Sequence, residues 1–190
     1  KAYFYDLSNV RKALLNAPAE FTAAAQTGFV VISVPMPNGE LMPFKVVETE
    51  TMAPQLAARF PGIKTYSGQG IADPAAVLKM TVSDHGFYGM ILSPHGHVFI
   101  DPLDHGNTNQ VVVYFKDDLK PYTSFTCETG EKEENFGSTL KYSTMASGQA
   151  ARSHGTSLRT YRLALACTGE YAAFHGGTTS GAMAAMVASM

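Results

Sequence analysis

Residues 158 to 190 read LRTYRLALACTGEYAAFHGGTTSGAMAAMVASM, and this stretch determines how the rest of the chain is divided. From 161 to 167 the residues are almost all apolar after Arg162, which is typical of a parallel strand buried on both faces. The hydroxyl residues 178 to 180 are candidate caps for a helix from 181 to 190. A strand followed by a crossover helix is half of a βαβ unit, and no second strand follows. We therefore predict that 158–190 is the first strand and helix of a larger α/β domain.

The helix in this stretch is rich in Ala and Met on every side. An isolated helix of about 13 residues is marginal in water. We expect the remainder of the α/β domain, outside this chain, to cover it, and residues 1–135 to form a separate preceding domain. The chain starts at Lys1 without a methionine, which predicts that an upstream segment is removed.

Composition narrows the class of protein. The chain has 190 residues, 45% hydrophobic and 16% charged, which is typical of a globular protein. A net charge of −2 and the absence of any Lys/Arg cluster argue against a nucleic-acid partner. The sequence contains no run of 18 apolar residues, so it predicts no membrane span. Low charge with many Ser, Thr and Tyr favours a secreted or cell-surface protein.

Residues 1–135 show the pattern of an antiparallel β-rich α+β domain with two short helices. The first helix follows Asp6, and the second covers 52–60. A hairpin is predicted around Asn38-Gly39. Short connections containing Gly, Asp and His favour antiparallel pairing in a meander or a sandwich. The strands are predicted over 29–34, 41–49, 65–66, 76–83, 86–92, 97–100 and 110–115.

A change in composition marks the end of this domain. Four glutamates lie between 128 and 134, and residues 137 to 157 are mostly Ser, Thr, Gly and Ala. We interpret 136–157 as a linker. The exposed basic step at Arg152-Ser153 is the predicted site of proteolytic cleavage.

The turns of the β domain hold the histidines and carboxylates that could carry chemistry. His95 and His97, with His85 or His105, are a candidate metal site, and Asp84, Asp101 and Asp104 are a candidate acid/base set. Both residue types are also ordinary in turns. The sequence lacks G-x-S-x-G, a phosphate-binding loop and H-E-x-x-H. One alternative is a self-sufficient hydrolase using these turns, and another is an adhesion or glycan-binding module with Tyr66, Phe87 and Tyr88 as its platform.

Cys127 lies where the β domain meets the linker. A thiolate is a strong zinc ligand, and one placed in the open position of a catalytic zinc would displace its water and silence the metal. Cys127 is therefore a candidate inhibitory zinc ligand. It is equally compatible with a strand-end cysteine or with a disulfide to Cys167, which otherwise suits a small core residue.

Two groups of motifs resemble bacterial reprolysin-like zinc metallopeptidases of the metzincin group. The stretch 161–171, with Phe174-His175-Gly176-Gly177 and the Ala/Met helix, resembles the start of their catalytic domain. Four upstream motifs resemble the propeptide of such precursors: Met52-Ala53-Pro54, 64–71, His85-Gly86-Phe87 and Ile100-Asp101-Pro102.

The resemblance implies a secreted precursor whose propeptide assists folding and keeps the peptidase latent. Its zinc would be held by an H-E-x-x-H site beyond Met190, so no catalytic residue transfers to this chain. The implied partner is the cognate catalytic domain. Eukaryotic relatives place their switch cysteine in a different motif, so the role of Cys127 depends on its position and chemistry.

Overall fold

The computed structural model describes residues 1–104, 107–119 and 163–190. These residues form an α+β fold with one curled, half-barrel sheet of eight antiparallel strands and five short α-helices. The strands are Ala2–Phe4 (β1), Val30–Pro35 (β2), Leu41–Thr49 (β3), Lys64–Gly70 (β4), Val77–Ser83 (β5), Gly86–Leu92 (β6), Val98–Asp104 (β7) and Asn107–Phe115 (β8). The helices are Leu7–Leu14 (α1), Ala23–Thr27 (α2), Pro54–Arg59 (α3), Gly169–Phe174 (α4) and Thr179–Ala188 (α5), with a 3-10 turn at Lys116–Asp118. The fold class predicted from the sequence is confirmed.

The chain divides into two compact units. The first comprises Lys1–Lys120 and Leu165–Met190, and the second is Pro121–Ala164. Apart from positions 163 and 164, the second unit lies outside the described residues. The proposed limits of domain and linker at 135, 136–157 and 158 stay predictions.

The sheet is a meander with one exception. Its strand order is β1-β8-β7-β6-β5-β4-β3-β2, and all neighbours are antiparallel. Strands β2 to β8 are adjacent in sequence order, and every connection is short except the one between β3 and β4, which contains α3. The exception is β1, where Ala2 pairs with Val112 of β8 and the amide of Val113 donates to the carbonyl of Lys1 at 2.8 Å. The strands predicted between 29 and 115 appear at or near their expected positions, whereas β1, α2 and α4 are absent from the sequence prediction.

One sheet face carries the hydrophobic core. Helix α1 closes this face; Asp6 caps it by accepting from the amide of Asn9 at 3.2 Å, and its Leu7 and Leu14 are buried. The ring of Tyr5 packs against Phe87 with centroids 5.2 Å apart. The largest fully buried core side chains on the strands are Phe44, Phe87, Leu78, Ile91, Ile100, Val34, Val46, Val98, Val111 and Val113.

The predicted strand from 161 to 167 is not present over its described part. Residues 163–168 have no regular secondary structure, and Leu163 and Leu165 are 66% and 50% exposed. Cys167 is exposed with a free thiol, so the expectation of a core cysteine is wrong as well. The physical reason is that an apolar run becomes a strand only when another strand pairs with it. None of the described strands pairs with residues 163–168.

Candidate functional site

Helix α5 begins at a hydroxyl cap, and two glycines separate it from α4. The hydroxyl of Thr178 caps the helix by accepting from the amide of Gly181 at 3.0 Å. Helix α4 is capped in the same way by Thr168, and the two helices meet at Gly176 and Gly177, whose φ angles are +90° and +69°. The predicted helix and its cap are confirmed.

The second face of the sheet, opposite the core, is polar and yet largely covered beneath α5. In a sheet exposed on one side, residues that alternate with the core positions are normally solvated. On this face, however, Thr65, Thr81 and Ser83 are 8%, 4% and 1% exposed. Thr65 donates to the carbonyl of Thr49 at 2.6 Å, and so its hydroxyl is satisfied despite burial.

Helix α5 packs directly on the β domain. Ala184 and Val187 form a buried cluster with Ile63, and Met52 and Phe60 pack against this cluster. From Gly181 to Ala188 no residue of α5 is exposed. We expected the covering surface to lie outside the chain; the structure supplies it from the strands and from the connection between β3 and β4.

One side-chain hydrogen bond joins the turn between β5 and β6 to the start of α5. The Nε2 atom of His85 lies 3.3 Å from the hydroxyl of Ser180. At the same turn, Arg11 of α1 pairs with Asp84 at 3.1 Å and donates to the carbonyl of Ser83. The turn is thus anchored on both faces of the sheet.

A cavity of about 650 Å³ lies on the second face beside α4 and α5. Strands β3 to β8 supply its floor, and the two helices supply part of its wall. Its ionisable lining includes the three carboxylates Glu20, Glu50 and Asp101, together with Lys79 and His175. The aromatic residues that line it from the second face and from α4 are Tyr88, Phe99, Tyr114 and Tyr171.

Asp101 is the half-buried carboxylate of this cavity. Burial raises its pKa above the ordinary value of 3.8, and the hydrogen bond from Tyr114 opposes this shift with a smaller effect. The hydroxyl of Tyr114 donates to Oδ2 of Asp101 at 2.6 Å, a short distance typical of a bond to an ionised oxygen. Burial and the neighbouring carboxylate also raise the pKa of Tyr114.

Aromatic residues line the same cavity as this carboxylate. Phe99 stacks on Tyr114 with centroids 5.9 Å apart. Burial raises the pKa of Tyr88, and the negative charge of Asp101 adds to that shift. On the helix side, the ring of Tyr171 lies 4.5 Å from that of His175. The arrangement suits an organic cation, because a carboxylate supplies charge and ring faces attract cations.

The sequence-predicted residues are distributed differently. Cys127, Arg152 and Ser153 lie outside the described residues, so their roles stay predictions. Among the residues that the structure describes, no three His, Cys, Asp or Glu side chains are grouped so that they could hold a metal. Of the proposed acid/base set, Asp84 pairs with Arg11 and only Asp101 lines the cavity.

The binding platform proposed from the sequence is not present as a surface. Phe87 is fully buried in the core and Tyr66 is 6% exposed. Only Tyr88 of the three is half-buried at the cavity, because it alternates with Phe87 along β6 and faces the other side. Sequence alternation alone signals that Phe87 and Tyr88 cannot share a face.

Within residues 1–104, 107–119 and 163–190, no helix is both long and apolar enough to cross a membrane. Comparisons with protein-family models, with curated proteins and with solved structures find no match for this chain.

Proposed function

We propose that residues 1–135 are the inhibitory and folding-assisting propeptide of a secreted zinc-dependent metalloendopeptidase. In this proposal α5 is the first helix of the catalytic domain. The observation that supports it best is the packing of α5 against the second face of the sheet. A ten-residue helix without exposed side chains between 181 and 188 is unstable alone, so a partner that covers it assists its folding.

The contact is separate from the main core of the β domain. Ala184 and Val187 of the helix pack with Ile63, Met52 and Phe60 in a small cluster of their own, whereas the aliphatic core lies in a different and larger cluster. Removal of α5 would expose the small cluster and leave the larger core intact, so the β domain could stay folded after the two parts separate.

Latency is assigned to two groups of this precursor. Covering of α5 and its surroundings blocks assembly of the cleft, and Cys127 would supply a thiolate as an inhibitory ligand to zinc held by the downstream domain. Cleavage at Arg152-Ser153 then separates the two parts. Zinc is held by the downstream domain, with Cys127 as its only ligand from this chain.

The test uses the full-length precursor, whose coding sequence is first read beyond Met190 for an H-E-x-x-H site. Limited trypsin treatment of the purified precursor is expected to cut at Arg152 and to release peptidase activity that 1,10-phenanthroline abolishes. Arg152→Gln is the matched control and should stay latent under the same treatment. The proposal fails if the full-length chain has no zinc-dependent peptidase activity before or after cleavage.

The alternative is an exported binding module, and the cavity beside Asp101 is the observation that favours it. Under this alternative, the chain binds a ligand and its coding sequence contains no downstream zinc site. Glycan-array binding by the intact chain, together with a coding sequence lacking H-E-x-x-H, would select the binding module.

A further inference from the structure

No ion pair is formed by Asp101 within residues 1–104, 107–119 and 163–190. Three carboxylates, Lys79 and His175 line its cavity. The ion pairs formed among the described residues are Arg11 with Asp84 and Lys64 with Glu48, so neither Glu20, Glu50 nor Asp101 is neutralised by them. Lys79 donates instead to the hydroxyl of Ser67 at 3.0 Å.

The one hydrogen bond to the Asp101 carboxylate from the described part of the chain comes from Tyr114, at Oδ2. That bond fixes the orientation of the carboxylate, as a binding group requires. Because partial burial disfavours the charged form, a ligand that brings a positive charge would recover the lost solvation. The attraction between the ligand's positive charge and the carboxylate is strongest where little water is present to screen the two charges.

The aromatic lining selects among cations. Flat rings from Tyr88, Phe99, Tyr114 and Tyr171 border the same cavity as the carboxylate. A guanidinium group is planar, stacks on ring faces and forms charge-assisted hydrogen bonds with a carboxylate. A primary ammonium is a strongly hydrated point charge that gains less from stacking. The volume of about 650 Å³ accommodates a side chain of the size of arginine.

We infer that this cavity is a binding site for a guanidinium group, with Asp101 as the anionic contact and Tyr88 as the stacking surface. The site needs α4 and α5 beside the sheet, so under the proposed propeptide role it belongs to the uncleaved chain. It could accept a free guanidinium compound or the arginine side chain of a peptide, since the chemistry is the same.

The test is titration of the intact chain with N-acetyl-arginine amide, followed by NMR chemical shifts of the β6 and β7 amides. N-acetyl-citrulline amide is the matched ligand, because it has nearly the same shape without the charge. Arginine amide is expected to bind and citrulline amide to fail. Equal binding of the two, or no binding of arginine amide at millimolar concentration, would overturn the inference. The affinities of a short arginine peptide and of free agmatine are then compared. Tighter binding of the peptide would assign the site to a peptide arginine, and tighter binding of agmatine to a free guanidinium compound.

Two variants assign the contacts. Asp101→Asn keeps the shape and the acceptor for Tyr114, and should weaken binding by about tenfold or more. Asp104→Asn, an exposed change at the end of the same strand, is the control and should bind as the wild type does. Tyr88→Leu should reduce the preference for arginine amide over N-acetyl-lysine amide. Equal affinities for the two Asp variants would contradict the role of Asp101 even if binding occurs.

Discussion

The hydroxyl of Tyr114 in β8 donates a 2.6 Å hydrogen bond to the carboxylate of Asp101 in β7, on the sheet face opposite the core. Burial nevertheless raises the pKa of Asp101 above 3.8, so folding disfavours its ionised form. A raised folded-state pKa means that the folded protein binds more protons than the unfolded chain between the two pKa values. The contribution of Asp101 to stability therefore falls as the pH rises from about 3.8 through its folded-state pKa.

Asp101→Asn should remove the loss of stability that accompanies ionisation of Asp101, while it keeps a hydrogen-bond acceptor for Tyr114. We expect the unfolding temperature of the variant, relative to the wild type, to rise with pH from the acidic range and then to level off. Thermal unfolding followed by circular dichroism over a pH series measures it, with Asp104→Asn as the control for removing an exposed charge from β7. A difference that falls with pH would contradict the assigned burial of Asp101.

Gly86 begins β6 with a φ of +130°, a conformation that side chains disfavour. A Cβ atom at this position would also lie 2.5 Å from Cγ of Pro102. We expect Gly86→Ala to lower the free energy of unfolding by about 2–4 kcal/mol, measured by urea denaturation. Gly89→Ala in the same strand is the matched control, because its Cβ would make ordinary contacts with Phe87 and Ile100. Equal losses for the two variants would show that strand propensity, rather than strain, determines the effect.

Phe21 is the only residue other than glycine with a left-handed backbone among the described positions, with φ of 62°, and its side chain is 91% exposed. Asn adopts this conformation more readily than Phe. We expect Phe21→Asn to raise the free energy of unfolding by about 1 kcal/mol, because strain is relieved and no buried contact is lost. Leu15→Asn is the comparison, since Leu15 is 84% exposed with a right-handed helical backbone. The same gain in both variants would assign the effect to lost surface hydrophobicity.

Ala184 lies at the buried contact between α5 and Ile63. Ala184→Glu would place an unpaired charge there and should weaken docking of α5 by about 3 kcal/mol. Faster hydrogen exchange of the amides between 181 and 188, with β6 amides unchanged, is the expected readout. Thr179→Glu, an exposed change in the first turn of the helix, should leave exchange as it is or slow it slightly. Unchanged exchange in Ala184→Glu would mean that the sheet does not hold the helix.

The proposed latch at Cys127 is tested in the full-length precursor. If its thiolate ligates the downstream zinc, Cys127→Ala should speed autoactivation, because water regains the open metal position. Cys167→Ala is the matched control, since Cys167 is an exposed free cysteine. Autoactivation rates measured with a fluorogenic peptide should separate the two variants. Identical rates would leave steric covering as the source of latency.

Much of the fold could be read from neighbouring residues. Strand β6 follows from Gly86 and its alternation, and α5 follows from the three hydroxyl residues 178 to 180, of which Thr178 caps it. These signals depend on residues only a few positions apart, so they can be recognised in the sequence. In contrast, the stretch from 161 to 167 was assigned to a buried strand from its apolar character alone. Apolar character does not specify a pairing partner, and the described part of this stretch is exposed.

The sequence identified single residues of the candidate site but not their arrangement. Asp101 appeared as one of several turn carboxylates, and Tyr88 as one member of an aromatic platform. Asp101 shares its cavity with residues of α4 and α5, which come from the far end of the chain, and no local pattern encodes that proximity. The aromatic residues of the cavity come from four separate elements.

The sequence by itself therefore determined the α+β class, the antiparallel pairing of successive strands and the positions of α1 and α5 along the chain, because each depends on contacts between near neighbours. The tertiary structure selected a meander over a sandwich, and Thr178 over Thr179 and Ser180 as the cap of α5. The tertiary structure alone decided where β1 and α5 lie. Lys1 bonds to Val113, and His85 contacts Ser180, across separations of 112 and 95 residues. Contacts over such distances depend on which surfaces remain uncovered after the local elements have formed, and those surfaces exist only in three dimensions.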